Sequence, residues 1–246
     1  MTDERCRVHA IAPEVEVRVT RPMPALPAGL DAEVERLWVA AQARTRGALF
    51  NGRVFSTDAI TPRLIEGHWT EYRRVIARMA RPELGAPLAA VPLAADGVIV
   101  GGAGAERFVL FGRRAAGAVY QAGEWQLPPA GSLDPGAAEG DAVDLLRQLR
   151  TEMAEELGLP GEAATAPRLL CVVEHLDSGV LDLGIAVHTA WSASALLEAH
   201  ARGGNGEYDP LEAVPVAELP AFLARHAGQV TRQTPIFLRH AGLLTG

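Results

Sequence analysis

An α/β fold preceded by an N-terminal α+β extension is predicted from three observations. From about Leu84 onward, short apolar runs bounded by glycine-rich turns alternate with segments of helical period. The first eighty or so residues carry a strand-and-helix pattern of their own, interrupted by the proline-rich "RPMPALPAGL". With 48% hydrophobic residues in 246, the chain has material for a real core and an added lobe. The division expected is a lobe over 1–83 packed on a main domain over 84–246.

In order along the chain, "VEVRVT", Val15 to Thr20, alternates as a strand does. Asp31 is expected to cap a helix running to about Arg44, with Val34, Leu37, Trp38 and Ala41 on one face. "GRVFSTDAI" and "PRLIEGHW" read as strands, and Thr70 as the cap of a helix in "EYRRVIARMA". "LAAVPLAADGVIVGG" and "RFVLFGRR" read as strands on either side of a glycine-rich turn. "RLLCVVEHL" and "LDLGIAVHTAW" predict a hairpin turning at Asp177, Ser178 and Gly179. A short helix in "ALLEAHARGG", extended chain in "EYDPLEAVPV" and closing helices in "VAELPAFLARHA" and "TPIFLRHAGLL" complete the pattern.

Composition excludes several functions. A net charge of −7 gives no basic face for tracking a polynucleotide. All 23 basic residues are arginines, which removes P-loop and Schiff-base lysines while leaving arginine for bidentate phosphate contacts. Cys6 and Cys171 are too few for a disulfide framework. "MTDERCRVHA" lacks an apolar signal core, and Pro87, Pro92 and Asp96 break the one long apolar run. A cytoplasmic location without membrane attachment is therefore expected.

The chemistry concentrates in "QLRTEMAEELGLP", Gln148 to Pro160. Asp141 as cap and Gly158 with Pro160 as stop predict a helix over about Ala142 to Leu157. Val143, Leu145, Leu146, Leu149, Met153 and Leu157 cluster on its core side at about 100° per residue. Glu156 falls at the margin of that stripe, Glu152 at its edge, and Glu155 beside both. Carboxylates at this spacing repel, and a divalent cation reverses the sign.

"LPPAGSLDPG", Leu127 to Gly136, followed by "TEMAEELGL", Thr151 to Leu159, resembles the loop-helix-loop signature of the Nudix hydrolases. Trp125, Leu127, Pro128, Gly131 and Gly136 match its loop, and Glu152, Met153, Glu155, Glu156, Gly158 and Leu159 match its helix. Thr151 stands where the family has arginine, about six extra residues follow Gly136, and the family's first glutamate is replaced by Val143 or Ala137. Arg147 and Arg150 are candidates to replace the arginine. The non-arginine, the enlarged loop and the long N-terminal extension are similar to the branch that contains human UDP-glucose diphosphatase.

The resemblance implies a Nudix-type α/β/α sandwich with a mixed sheet, and Mg²⁺- or Mn²⁺-dependent attack of water on the pyrophosphate of a nucleoside diphosphate sugar. It implies metal ligation by Glu152, Glu155 and Glu156, with Glu152 and Glu156 central to catalysis. Glu207 in "GGNGEYDP" is preferred as general base over Glu174 in "VVEHLDSG". Substrate contacts are expected from Arg113 or Arg114, from Tyr72 and Arg73, and around Gly131. His175 and His188 are expected to fill structural places. The expected partner is a small nucleotide, UDP-glucose or UDP-galactose, with ADP-ribose as the alternative substrate, a non-catalytic nucleotide-binding module as the alternative role, and a homodimer as a possible assembly.

Overall fold

A computed structural model describes residues 4–245, and in it the alternating runs build two sheets. The first part of the chain supplies β1 (Cys6–His9), β2 (Glu16–Val19), α1 (Leu30–Arg44), β3 (Arg53–Ile60), β4 (Leu64–Glu71), α2 (Tyr72–Ala80) and the single turn α3 (Gly85–Leu88). There follow β5 (Leu93–Gly101), β6 (Phe108–Arg114), the short strands β7 (Trp125–Gln126), β8 (Ala130–Ser132), β9 (Ala138–Glu139) and β10 (Ala142–Val143), and α4 (Leu145–Leu157). The chain closes with β11 (Thr165–His175), β12 (Leu181–Thr189), α5 (Ala193–Gly203), β13 (Tyr208–Pro215), α6 (Leu219–Arg225) and α7 (Gln233–His240).

The larger sheet runs β1-β11-β12-β5-β6-β13, with β7 on β6 and β8 on β5. It is mixed, because β12 and β5 pair in parallel while the other pairs are antiparallel. Strand alternation sorts its apolar residues to two faces. Leu93, Ile99, Leu110, Leu183 and Ile185 face α4 and α5, where Leu149, Met153, Leu157 and Leu196 meet them. Val98, Val109, Phe111 and Val173 face Phe222 of α6 and Phe237 of α7. The result is the expected α/β/α sandwich. Phe111 and Phe237 are both fully buried, each contributing about 1.5–3 kcal/mol.

The smaller sheet, β3-β4-β2-β10-β9, takes strands from both sides of residue 83. It recruits β9 and β10 from the enlarged loop, while β1 joins the larger sheet through Cys6 to His9 opposite His175 to Val172. Three helix starts differ from expectation. Because Ala142 and Val143 are held extended by strand pairing, α4 begins only after Asp144, whose carboxylate accepts from the Leu146 and Arg147 N–H groups at 2.9 and 3.0 Å. Asp141 ion-pairs with Arg18 at 3.0 Å. The cap of α1 is Gly29, with Asp31 inside the first turn, and that of α2 is Glu71, because Thr70 is still paired in β4. Gly158 ends α4 at φ 64°, where a Cβ would meet the Gly203 backbone at 2.8 Å. No helix among the described residues is long and apolar enough to cross a membrane.

Candidate active site

The ends of β5, β6 and β12, strand β8, helix α4 and the turn before β13 enclose a cavity of about 250 Å³. Glu152, Glu156, Glu207, Arg114, Gly131 and Tyr72, all named from the sequence, line it. An outer chamber of about 560 Å³ shares Tyr72, Arg114, Tyr120 and Glu207 with it. A separate apolar groove of about 420 Å³ beside β2 has Glu16 and Arg18 as its only charged residues, and these two pair with each other at 2.7 Å.

Helical geometry decides which glutamates enter. Glu152 and Glu156 are about 40° apart on the helix, whereas Glu155 lies about 100° from Glu156, on the far side of Glu152. Glu156 is 3% exposed and Glu152 half-buried, both toward the cavity; Glu155 is exposed and not part of its lining. The sequence reading of one shared surface for all three is corrected on this point.

Each inward glutamate is held by its neighbours. Glu156 Oε2 accepts the Ala130 N–H at 2.9 Å, tying α4 to β8. Glu152 Oε1 accepts from Gln148 Nε2 at 2.7 Å, one turn earlier, while Gln148 Oε1 accepts the Asp134 N–H at 3.1 Å. Gln148 thus orients Glu152, a role expected of Arg147 or Arg150. Arg147 pairs instead with Glu139 and Asp144, and Arg150 is exposed. Thr151 is also exposed and donates to its own helix at Arg147 O, 3.1 Å. The (i, i+4) spacing of Gln148 and Glu152 was the available signal. A Cβ at Gly131 would overlap the Glu152 carboxylate, so a larger residue there displaces that side chain.

Glu207 comes from the turn before β13, where its N–H bonds Asn205 Oδ1 at 2.9 Å and Gly206 takes φ 83°. Its carboxylate pairs with Arg114 at 3.1 Å. Arg114 also donates to Tyr120 O and Gln126 Oε1, both at 3.1 Å. These contacts use three of the five N–H donors of a guanidinium, leaving two for a ligand. Burial pushes the Glu152 carboxyl up to about 7, against the Gln148 hydrogen bond and with Glu155 and Glu207 adding repulsion. Burial, then repulsion by Glu207 and Glu152, raises Glu156 well above the usual carboxylate range.

Four expected site residues lie elsewhere. Alternation turns Arg113 outward, where it is exposed and donates to Gly123 O at 3.0 Å. Arg73 is committed to Asp31 and Glu71, at 2.9 and 3.0 Å, and joins α1 to α2. Glu174 pairs with Arg7 and His9 across β1 and β11, at 3.1 and 2.9 Å. Glu155 is the fourth. His175 is buried against Asp182 at 2.7 Å, a structural place as expected, while His188 is exposed. Asp96 and Asp182, which also line the cavity, were not among the expected site residues. A charged residue inside an apolar strand run was the signal for Asp96.

Among the described residues no three His, Cys, Asp or Glu side chains stand as a formed metal cluster. The donor chemistry nevertheless fits a hard cation, since Glu152 and Glu156 offer carboxylate oxygens whose mutual repulsion a dication relieves.

No family model matches the chain, and no curated protein matches it. Among solved structures it is similar to the NUDIX domain of Shewanella oneidensis NrtR complexed with ADP ribose, at 16% identity over 66% of this chain and 96% of that one, TM-score 0.45. It is similar to a NUDIX hydrolase from Alicyclobacillus acidocaldarius, at 16% identity over 62% and 90%, TM-score 0.45. It is also similar to a C. elegans Ap4A hydrolase, at 16% identity over 62% and 96%, TM-score 0.37. At these identities and TM-scores the similarities assign the chain neither a family nor a reaction.

Proposed function

We propose that the chain hydrolyses the pyrophosphate bond of a nucleoside diphosphate sugar, UDP-glucose or UDP-galactose foremost, with a divalent cation. The observation that carries this reading is the convergence of Glu152 and Glu156 from α4 with Glu207 and Arg114 from distant strands in one cavity. Phosphoryl displacement needs positioning and charge neutralisation more than covalent chemistry, and this set offers both. Glu152 and Glu156 would hold Mg²⁺ or Mn²⁺, which when bound neutralises pyrophosphate oxygens and acidifies a water.

The remaining roles belong to the chain itself. Arg114 directs its two uncommitted N–H donors at a phosphate oxygen. Glu207, fixed by Arg114 and by the Asn205 turn, takes the proton of the attacking water, which bonds to phosphorus as the bridging oxygen leaves. Tyr72 and Tyr120, shared by both chambers, flank the passage through which the substrate extends.

The test is release of UMP from UDP-glucose and UDP-galactose, and of AMP from ADP-ribose, with and without Mg²⁺, for wild type beside Glu156→Gln. Mg²⁺-dependent UMP release that the variant loses by about 100-fold or more supports the reading. Preferential AMP release would replace the substrate, and undiminished activity in the variant would remove α4 from the chemistry. A second reading, a module that binds nucleotide without turnover, is favoured by the outward Glu155 and the absence of an arginine oriented on Glu152. It predicts nucleotide binding with no product from any of the three substrates.

A further inference from the structure

The inner end of the cavity contains groups that hydrolysis does not use. Asp96 on β5 and Asp182 on the parallel neighbour β12 both line it, at 1% and 3% exposure. They occupy the sheet face that carries Val98, Val100 and Ala186 farther along the same strands, so apolar side chains would suit the packing there. Asp182 is partnered by His175. Asp96 Oδ2 accepts from Gln233 Nε2 at 3.3 Å, but Asp96 Oδ1 is buried with no hydrogen-bond partner among the described residues. Leaving such an acceptor unmet costs about 1–3 kcal/mol, more when it is charged. A ligand that donates to it removes that cost.

The chemistry around this oxygen narrows the ligand. Two buried carboxyl groups, charged or protonated, do not give a phosphate the several donors it needs. Gln233 bonds Asp96, and Gln126, whose Oε1 accepts from Arg114, lines the same cavity, so amide groups supply donors as well as acceptors there. Hydroxyl groups match that mixture, being donor and acceptor at once. Size agrees: about 250 Å³ falls below the roughly 300–1,000 Å³ of a whole ligand site, so the inner chamber takes one part of a ligand and the outer chamber the rest. Arg114 and Glu207, which line both chambers, are left at the diphosphate, with Glu152 and Glu156 beside them in the smaller one.

We infer that Asp96 and Asp182, with Gln126 and Gln233, form a subsite for a hydroxyl-bearing ring, the glycosyl group of the nucleoside diphosphate sugar. This rests on the proposed function. The nucleoside's ribose carries the same chemistry, and comparison of ligands separates the two.

The experiment is steady-state hydrolysis of UDP-glucose with Mg²⁺, together with inhibition of that reaction by glucose 1-phosphate and by UDP, for wild type, Asp96→Ala and Gln233→Ala. Loss of one hydrogen-bond partner is expected to raise KM about tenfold, with kcat within about threefold. Inhibition by glucose 1-phosphate should weaken in parallel and that by UDP should not. Equal weakening for UDP would place the ribose there and overturn the glycosyl assignment; an unchanged KM in both variants would overturn the subsite. A wild type that cleaves no UDP-glucose would instead remove the proposed function, and this inference with it. Thermal melts check folding, and Asp96→Asn, which keeps the shape, carries the test if Asp96→Ala does not fold.

Discussion

Two arginine–glutamate pairs in this molecule have the same length and opposite meaning. Arg7–Glu174 and Arg114–Glu207 both measure 3.1 Å. The first joins the edge strand β1 to β11, with Arg7 61% exposed, and lines neither chamber of the candidate site. In the second, Arg114 is 13% exposed; burial opposes its charge, while Tyr208, Glu207, Glu156 and Asp96 around it favour that charge and leave its pKa raised. An exposed pair is worth about 0–1 kcal/mol and is screened by salt, whereas a pair in a partly dry cavity acts on whatever enters it. The same two residue types become a candidate site only where distant segments aim further polar groups at one volume.

The strongest way to break this comparison is to neutralise each glutamate in turn. Glu207→Gln should reduce Mg²⁺-dependent turnover by about 10²–10⁴, the range for loss of a general base, while Glu174→Gln stays within about twofold. Product release under saturating substrate reads both. If Glu174→Gln were the inactive variant, the base would belong to the outer pair and the cavity would lose its claim.

A sharper test leaves every charged group in place. Gly131→Ala puts a methyl group where the Glu152 carboxylate lies, so that side chain must turn out of the cavity or β8 must shift. Overpacking of this kind costs about 1–3 kcal/mol. Denaturant unfolding should show that loss together with weakened Mg²⁺ dependence of turnover. Wild-type stability and metal dependence in this variant would mean that Glu152 does not work from the position it occupies here.

Asp96 gives a third, smaller effect with a defined sign. Burial, then repulsion by Asp182, raises its carboxyl above 3.8, with Gln233, Arg114 and Gln126 opposing. The folded state therefore holds a proton that the unfolded state gives up, and stability falls as pH climbs from about 3.8 through the raised folded value. Asp96→Asn removes that loss. Its Tm should exceed wild type at pH 7 to 8 and converge with it near pH 4. A constant difference across that range would show that Asp96 is charged in the folded protein. The stabilised variant should at the same time bind the sugar nucleotide less well, as expected where a strained group is kept for function.

Sequence pattern made the larger sheet legible because its main strands are largely apolar runs of seven to eleven residues bounded by turn residues, long enough to be read as strands buried on both faces. It did not reveal β9 and β10, two residues each, or the place of β1, because such short segments carry no period and their pairing is decided by tertiary contacts. Missing β10 displaced the start of α4 from Asp144 to Asp141. Of the residues named from the sequence, six line one cavity, Glu152, Glu156 and Gly131 named by motif and spacing and Arg114, Glu207 and Tyr72 by their strand end, loop and helix. Glu155 was not separable from its neighbours, since a motif names residue types and only packing fixes the helix's rotation. Gln148 went unread although its bond to Glu152 lies within α4, and Asp96 went unread because its neighbours Asp182 and Gln233 come from β12 and α7, far along the chain.

The smallest expected effect closes the comparison. Removing the guanidinium in Arg7→Ala exposes no cavity and leaves Glu174 beside His9. A double-mutant cycle over Arg7 and Glu174 should give a coupling no larger than about 1 kcal/mol, shrinking as salt is added, with turnover unchanged. The cycle over Arg114 and Glu207, read as turnover, should be strongly non-additive, because each variant also releases the other's side chain from its place in the cavity. Additive behaviour at Arg114 and Glu207 would show that they act independently, Glu207 needing no help from Arg114 to face the reacting water.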